Sequence, residues 1–378
     1  MDINRYLKAL VEKEGSDLFF SVGAPVTLKR EGDFFAFGNQ PLASGAVKEL
    51  AWQVMSEKQI EEFEREQEMN LAVGLPNCGR FRINVYYQRG EVGMVVRHIS
   101  HQIPAFAELG LPAQLEKLAL KDRGLILVVG ATGSGKSTTL AAMLDYRNTN
   151  RAGHIVCIED PIEFLHKHKK SIVDQREVGL DTQSFAHALR NVLRESPDVI
   201  MIGEVRSADT MAQALTFAET GHLCLCTLHA NNANQALDRI QSFFPADLHS
   251  QVWMDLSLNL KAMVAQQLLP HKEGKGRTPV VEVLLNSPLI QDYIRKGDVH
   301  LIKDVMAKST EQGMQTMDQS LIAAYKDNRI TREDAVRYAD SANDVRLMIK
   351  MFDKGQDSGA DDLDLSFDDS DRGKHMGR

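Results

Sequence analysis

The strongest constraint on the fold of this chain is the segment 130–137, which reads GATGSGKS and fits the pattern G-x-x-x-x-G-K-[ST]. An apolar run at 125–129 precedes it, and residues that favour helix follow it at 137–145. A strand, a glycine loop and a helix N-terminus together present backbone N–H groups to an anion. The pattern therefore predicts a phosphate-binding loop that takes a nucleotide.

Two side chains of this loop carry specific expectations. Lys136 is expected to reach the β- and γ-phosphates of ATP, and Ser137 is expected to ligate Mg²⁺. The backbone of the glycines is expected to surround the phosphates. The candidate nucleotide-binding residues of the loop are Gly130, Thr132, Gly133, Ser134, Gly135, Lys136, Ser137 and Thr138.

Charge and hydropathy argue against nucleic acid and against a membrane-spanning chain. The 378 residues carry a formal net charge of −8, but the segment 357–371 alone contains seven Asp and no Lys or Arg. The remainder is almost neutral, which does not favour nucleic acid as a partner. No apolar run approaches the roughly 20 residues that span a bilayer, and the N-terminus lacks a targeting pattern. We expect a cytoplasmic protein without a transmembrane segment, which leaves open docking on a membrane complex.

The order of the strand and helix patterns predicts an α/β chain. Strands and helices alternate through its middle, which is typical of a parallel sheet covered by helices. Late in this stretch, residues 246–269 are predicted to be helical. The predicted parts are a small α+β domain at 1–100, a linker at 101–112, the α/β core at 113–285, a helical segment at 286–353 and a disordered acidic tail at 354–378.

Two acids follow predicted buried strands, at the edge where ligands bind in open α/β sheets. Glu163 belongs to the acidic run 159–163, and crowded carboxylates there favour a nearby cation or a bound water. An ordinary surface turn is the alternative interpretation of that run. Glu204 ends the apolar strand predicted at 198–203, which predicts a carboxylate beside the Mg²⁺ of the phosphate loop.

Histidines and arginines give weaker signals. His222 and His229 stand at the two ends of a predicted strand, where imidazoles can sense a phosphate or make structural hydrogen bonds. Arg82 and Arg97 lie on neighbouring predicted strands of the N-terminal domain. By themselves, these patterns favour structural histidines and solvent-exposed arginines.

Four motifs together resemble the secretion ATPases and, within them, the type IV pilus retraction ATPases of the PilT/PilU family. Two shorter matches, RFRIN at 80–84 and GMQTMD at 313–318, extend the resemblance toward both ends. The acidic extension after about 353 is similar to the PilU branch, and Gln291 stands where the PilT branch has an Arg. The four motifs are GATGSGKSTTLAAML at 130–144, IEDPIEF at 158–164, DVIMIGEVR at 198–206 and ETGHLCLCTLHA at 219–230.

The resemblance implies a PAS-like N-terminal domain, a RecA-like P-loop core with C-terminal helices, and assembly as a homohexamer. It implies that Glu163 is the general base that activates water and that Glu204 acts through Mg²⁺. It further implies that His222 and His229 face the nucleotide, and that Arg82 and Arg97 reach the phosphates from the N-terminal domain.

The function that the resemblance implies is a hexameric, Mg²⁺-dependent ATPase that powers or assists type IV pilus retraction and twitching motility. Gln291 favours an accessory PilU-type motor that acts with a PilT-type ATPase, and an inner-membrane platform protein of the PilC type is the other expected partner. Two alternatives remain open at this point. One is a nucleotide-controlled docking subunit with little motor activity of its own, and the other is a pilus assembly or type II secretion ATPase.

Overall fold

The computed structural model describes residues 1–30, 32–76, 78–99, 102–274 and 276–357. Over these residues the chain is mixed α/β and forms two β-sheets, one of six strands and one of seven. The acidic tail predicted at 354–378 lies outside the described residues from 358 onward.

The six-stranded sheet is antiparallel and belongs to the N-terminal part of the chain. Its strand order is β3-β2-β1-β6-β5-β4, so that β5 and β6 are neighbours. The helices α1, α2 and α3 each pack one face on this sheet. Their buried residues Leu7, Leu50 and Phe63 lie in the same core as the sheet. The elements are α1 (Ile3–Glu12), β1 (Asp17–Phe20), β2 (Thr27–Arg30), β3 (Asp33–Ala36), α2 (Ala46–Trp52), α3 (Glu57–Glu66), β4 (Glu68–Leu75), β5 (Gly79–Gln88) and β6 (Glu91–Ile99).

The seven-stranded sheet has the order β13-β12-β7-β11-β10-β8-β9 and is parallel except for β13. Every residue of β7 and of β11 is buried, which explains why both sequences are almost entirely apolar. The elements are α4 (Phe106–Leu109), α5 (Gln114–Ala119), β7 (Gly124–Val129), α6 (Lys136–Asn150), β8 (Gly153–Glu159), β9 (Ser171–Glu177), α7 (Phe185–Val192), β10 (Val199–Ile202), α8 (Ala208–Glu219), β11 (Leu223–Leu228), α9 (Ala233–Phe243), α10 (His249–Asn259), β12 (Leu260–Pro270) and β13 (Arg277–Leu285).

The helix predicted over 246–269 is wrong in its second half. The helix α10 ends at Asn259, and Leu260–Pro270 continues as β12, between β7 and β13. Pairing with β7 on one side and with β13 on the other satisfies the backbone of this apolar segment. A short apolar run does not distinguish a buried strand from a buried helix, so the sheet partners decide.

Helices follow β13, and they pack on one face of the seven-stranded sheet. Ile290, Leu321 and Ile349 lie in the same apolar core as Leu127 of β7. The elements are α11 (Pro288–Lys296), α12 (Ile302–Lys308), α13 (Met317–Lys326), α14 (Arg332–Arg337) and α15 (Ala342–Asp357).

Glu282 of β13 ties this helical segment to the sheet. Its buried carboxylate accepts hydrogen bonds from the backbone N–H of Ala233, at 2.7 Å, and of Met317, at 3.3 Å. These two amides begin α9 and α13, where backbone donors have no partner within the helix. One side chain therefore satisfies two helix N-termini at once.

Candidate nucleotide-binding site

The phosphate-binding loop has the predicted local structure of strand, glycine turn and helix. It leaves β7 at Val129 and enters α6 at Lys136. Gly135 has a φ of 90°, and a Cβ on Gly130 would lie 2.3 Å from Ser134 Oγ and 2.6 Å from the Gln266 carbonyl oxygen. Only glycine fits these two positions without strain or displacement of neighbours.

Lys136 lies folded against this loop. Its Nζ donates hydrogen bonds to the carbonyl oxygens of Gly130 and Ala131, both at 2.9 Å. Burial lowers the pKa of the Lys136 ammonium, and the negative charges of Glu204 and Glu163 oppose that shift. The loop, the lysine and both predicted acids are therefore parts of one electrostatic unit.

A cavity of about 460 Å³ lies between this loop and the carboxyl ends of β8, β10 and β11. Nine of the predicted site residues line it. Gly130 and Ser134 belong to the loop but do not line the cavity, and Ser134 is buried. The nine lining residues are Thr132, Gly133, Gly135, Lys136, Ser137, Thr138, Glu163, Glu204 and His229.

Glu204 is held by two partners at this edge. One carboxylate oxygen lies 3.0 Å from His229 Nε2, and the other accepts a hydrogen bond of 2.6 Å from Arg206. Burial works to raise the pKa of Glu204, but the hydrogen bond from Arg206 and the charges of His229, Arg206 and Lys136 hold it below its ordinary value. The carboxylate is therefore ionised at neutral pH, as a ligand of Mg²⁺ must be.

The acidic run beside Glu204 contains a carboxylate that sequence reasoning did not single out. Glu159, the last residue of β8, lines the cavity and is only 8% exposed. Burial raises its pKa to about 7, although the side-chain amide of Gln175 donates a hydrogen bond of 2.9 Å to it. The available signal was its position as the first of the crowded acids after a buried strand.

The two histidines predicted to face the nucleotide lie at opposite ends of β11. His229 follows the carboxyl end and lines the cavity. His222 precedes the amino end, where its Nδ1 lies 3.1 Å from the Phe217 carbonyl oxygen. A strand of this length spans about 20 Å. His222 therefore lies at the end of β11 that is far from the cavity of its own chain, so it cannot make the predicted nucleotide contact there.

The N-terminal arginines also lie outside the cavity lining. Arg82 and Arg97 are opposite each other in the β5–β6 register. Arg97 is largely exposed and donates a hydrogen bond of 2.8 Å to Asp17. Arg80, two residues before Arg82, approaches Asp181 of the seven-stranded sheet domain at 3.9 Å. This face of the N-terminal sheet thus meets the chain just after β9.

Fold and site together define a P-loop nucleotide-binding protein of the α/β class. The glycine loop follows a buried parallel strand, and an ionised acid at the end of another strand lies across the same cavity. In the part of the chain that the structure describes, no helix is both long and apolar enough to cross a membrane.

Comparisons with known proteins identify the family. Residues 2–337 match the family described as type II/IV secretion system protein. The chain is 58% identical to the type IV pilus ATPase PilU of Pseudomonas aeruginosa over 96% of this chain and 94% of that protein. It is 40% identical to the PilT retraction ATPase of the same organism, over 89% and 97% respectively.

A solved structure supports the same grouping. The crystal structure of the pilus retraction motor PilT with bound ADP superposes with a TM-score of 0.85 at 41% identity, covering 91% of this chain and 98% of that one. The chain therefore belongs to the PilT/PilU family of type IV pilus ATPases, within the type II/IV secretion system proteins. Its class is that of an ATP hydrolase.

Proposed function

We propose that this chain is a hexameric, Mg²⁺-dependent ATPase that assists type IV pilus retraction as a PilU-type motor acting with a PilT-type motor. The observation that carries the proposal is the cavity on which Lys136, Glu163, Glu204 and His229 converge. Similarity to PilU over nearly the full length of both proteins supports the choice of branch. The motor is proposed to work in the cytoplasm, peripheral to the inner membrane, against a platform protein of the PilC type.

The residues present fit a bound Mg²⁺. The Ser137 hydroxyl and the ionised Glu204 carboxylate face the same cavity, and both are oxygen ligands of the kind that Mg²⁺ prefers. When bound, the ion neutralises charge on the β- and γ-phosphates. Ser137 would hold it directly, and Glu204 would hold it or one of its waters.

The proposed hydrolysis is an in-line attack of water on the γ-phosphate. Glu163 is exposed to the cavity and is proposed to orient or deprotonate that water. Lys136 and the backbone amides of the loop stabilise charge on the transferred group. His229 lies 3.0 Å from Glu204, the metal-binding acid. It is proposed to sense the γ-phosphate and to transmit its presence to Glu204 through this contact.

Motion is proposed to arise between a PAS-like domain at 1–100 and a RecA-like core at 113–285, joined by the linker 101–112. Closure of an N-terminal domain over nucleotide would bring Arg82 and Arg97 to the phosphates and change the shape of the ring. The similarity of the chain to PilT supports this arrangement.

Steady-state ATPase activity of the purified chain tests the proposal. We expect Mg²⁺-dependent hydrolysis that is lost in Lys136→Ala and in Glu204→Ala, with Arg65→Ala as a control on the exposed face of α3. Removal of Mg²⁺ with a chelator should abolish turnover of the unaltered protein. Hydrolysis that survives both substitutions would refute the site.

A docking subunit with little independent activity is the second candidate, and Gln291 in α11 favours it. A verified hexamer that hydrolyses ATP only after addition of a PilT-type partner would support this candidate. Deletion of the gene separates retraction from assembly, since loss of a retraction motor leaves excess pili and loss of an assembly ATPase leaves none.

A further inference from the structure

Glu177 is a buried carboxylate that has no role in the hydrolysis proposed above. It ends β9 and is 2% exposed. Among the atoms that the structure describes, its Oε2 has no hydrogen-bond partner. A buried carboxylate is costly unless charges or donors compensate it, so its surroundings show what keeps it there.

On one side, the strand neighbour of Glu177 is a residue of the nucleotide cavity. In the parallel β8–β9 register it is paired with Glu159, which lines that cavity. The backbone amides of Ile162 and Glu163 favour the ionised forms of Glu177 and Glu159 respectively. The segment that carries Glu163 therefore lies over two buried carboxylates at the ends of adjacent strands.

A further contact fixes this segment to the same strands. The Gln175 side-chain amide donates to Glu159 at 2.9 Å and to the Phe164 carbonyl oxygen at 2.8 Å. The position of Glu163 thus depends on the ends of β8 and β9.

The other side of Glu177 faces the N-terminal sheet. Arg80 and Arg82 share one face of β5, since side chains alternate along a strand. Arg80 lies 3.9 Å from an Asp181 oxygen that also accepts the backbone N–H of Glu177, at 2.9 Å. Burial raises the pKa of Glu177, and the charges of Arg82 and Arg80 oppose the shift. The cations that compensate this carboxylate come from the N-terminal sheet.

We propose that Glu177 is a positioning residue that couples the placement of the N-terminal sheet to the segment carrying Glu163. This inference rests on the proposed ATPase function. With the N-terminal sheet in place, Arg82 and Arg80 favour the charged form of Glu177, and its carboxylate supports the Ile162 amide beside Glu163. Withdrawal of the N-terminal sheet removes those cations from a buried carboxylate, and the segment loses that support.

A double-mutant cycle tests the coupling. Glu177→Gln, Arg82→Gln and the double variant are compared in the full-length protein, with Arg30→Gln of β2 as the matched control. We expect each single variant to lower kcat about fivefold to tenfold, with the KM for ATP changed less than about twofold, as for coupling energies of this class. The double variant should be no slower than Arg82→Gln alone, because the interaction that Glu177→Gln removes is already lost without Arg82.

The outcomes separate this role from a direct contact of Arg82 with phosphate. Multiplication of the two single effects in the double variant would overturn the coupling, as would normal kcat in Glu177→Gln. Failure of the proposed function is distinguishable, since it would appear as an inactive unaltered protein.

Hydrogen exchange gives a readout that does not depend on activity or on the folding of Glu177→Gln. In Arg82→Gln, the amides of Ile162 and Glu163 should exchange several-fold faster than in Arg30→Gln, because Glu177 has lost its compensating cation. Equal exchange in Arg82→Gln and Arg30→Gln would overturn the proposal.

Discussion

Two charged regions of the molecule differ in how firmly their charges are held. One is the cavity edge, where the strands of the seven-stranded sheet end at the nucleotide cavity, and the other is the face of the N-terminal sheet that carries Arg82 and Arg97. At the cavity edge, Glu204 has two partners, His229 and Arg206, and lies close to Lys136. On the N-terminal sheet, Arg97 is largely exposed and has Asp17 as its partner. Preorganised, partly buried charges suit chemistry, whereas exposed ones can change partners at little cost. This difference supports the proposal that hydrolysis takes place in the core and that the N-terminal sheet controls it.

The largest expected effect is at the core. Glu163→Gln should lower kcat about 10²- to 10⁴-fold, because the amide cannot accept the proton of the attacking water. Binding of ATP, measured by titration calorimetry with Mg²⁺, should change little. If kcat falls by less than tenfold, Glu163 is not the base and the assignment of chemistry to this edge loses its main support.

The two histidines test whether activity depends on the carboxyl ends of the strands, where the cavity lies. His229→Ala should lower kcat about tenfold to a hundredfold, since it removes a charge-assisted partner of Glu204. His222→Ala, from the other end of β11, should stay within about twofold of the unaltered protein. Equal losses in the two variants would show that His222 reaches a nucleotide that is not bound to its own chain.

Arg97 tests whether a residue of the N-terminal sheet controls hydrolysis without being needed for stability. Arg97→Gln should lower hydrolysis about tenfold, as expected for one charge-assisted hydrogen bond to phosphate. Its effect on thermal unfolding should be modest, because Arg97 is itself largely exposed and the buried Asp17 carboxylate keeps the hydrogen bond of 2.9 Å that the Ser16 hydroxyl donates to it. A large drop in the unfolding temperature without loss of turnover would reverse the proposed division of labour.

Glu159 gives the smallest expected effect, a pH dependence of stability. Its pKa is about 7 in the folded chain, above the ordinary value of 4.5, so the folded state binds its proton more tightly. The resulting stability is present below about pH 4.5 and is lost as the pH rises through 7. Relative to Glu159→Gln, the unaltered protein should lose a few degrees of unfolding temperature between pH 5 and pH 8. Parallel pH profiles of the two proteins would contradict the raised pKa.

Local patterns in the sequence predicted much of the nucleotide site. The phosphate loop requires glycines and a lysine at fixed spacing within eight residues, and Glu204 directly follows a buried strand. Such features depend on backbone conformation and on strand ends, which neighbouring residues largely determine. Family resemblance supplied the roles of Glu163, Arg82 and Arg97, and those roles stay predictions.

The sequence by itself determined the α/β class, the phosphate loop and the acids at the strand ends, because each is written in a short contiguous pattern. Only the tertiary structure decided that Leu260–Pro270 is a strand, since pairing with β7 and β13 outweighs its local preference. It also placed His222 and His229 at opposite ends of β11, and it brought Arg80 to 3.9 Å from Asp181, which accepts the backbone N–H of Glu177. These relations join residues far apart in the chain, and strand order and domain packing create them.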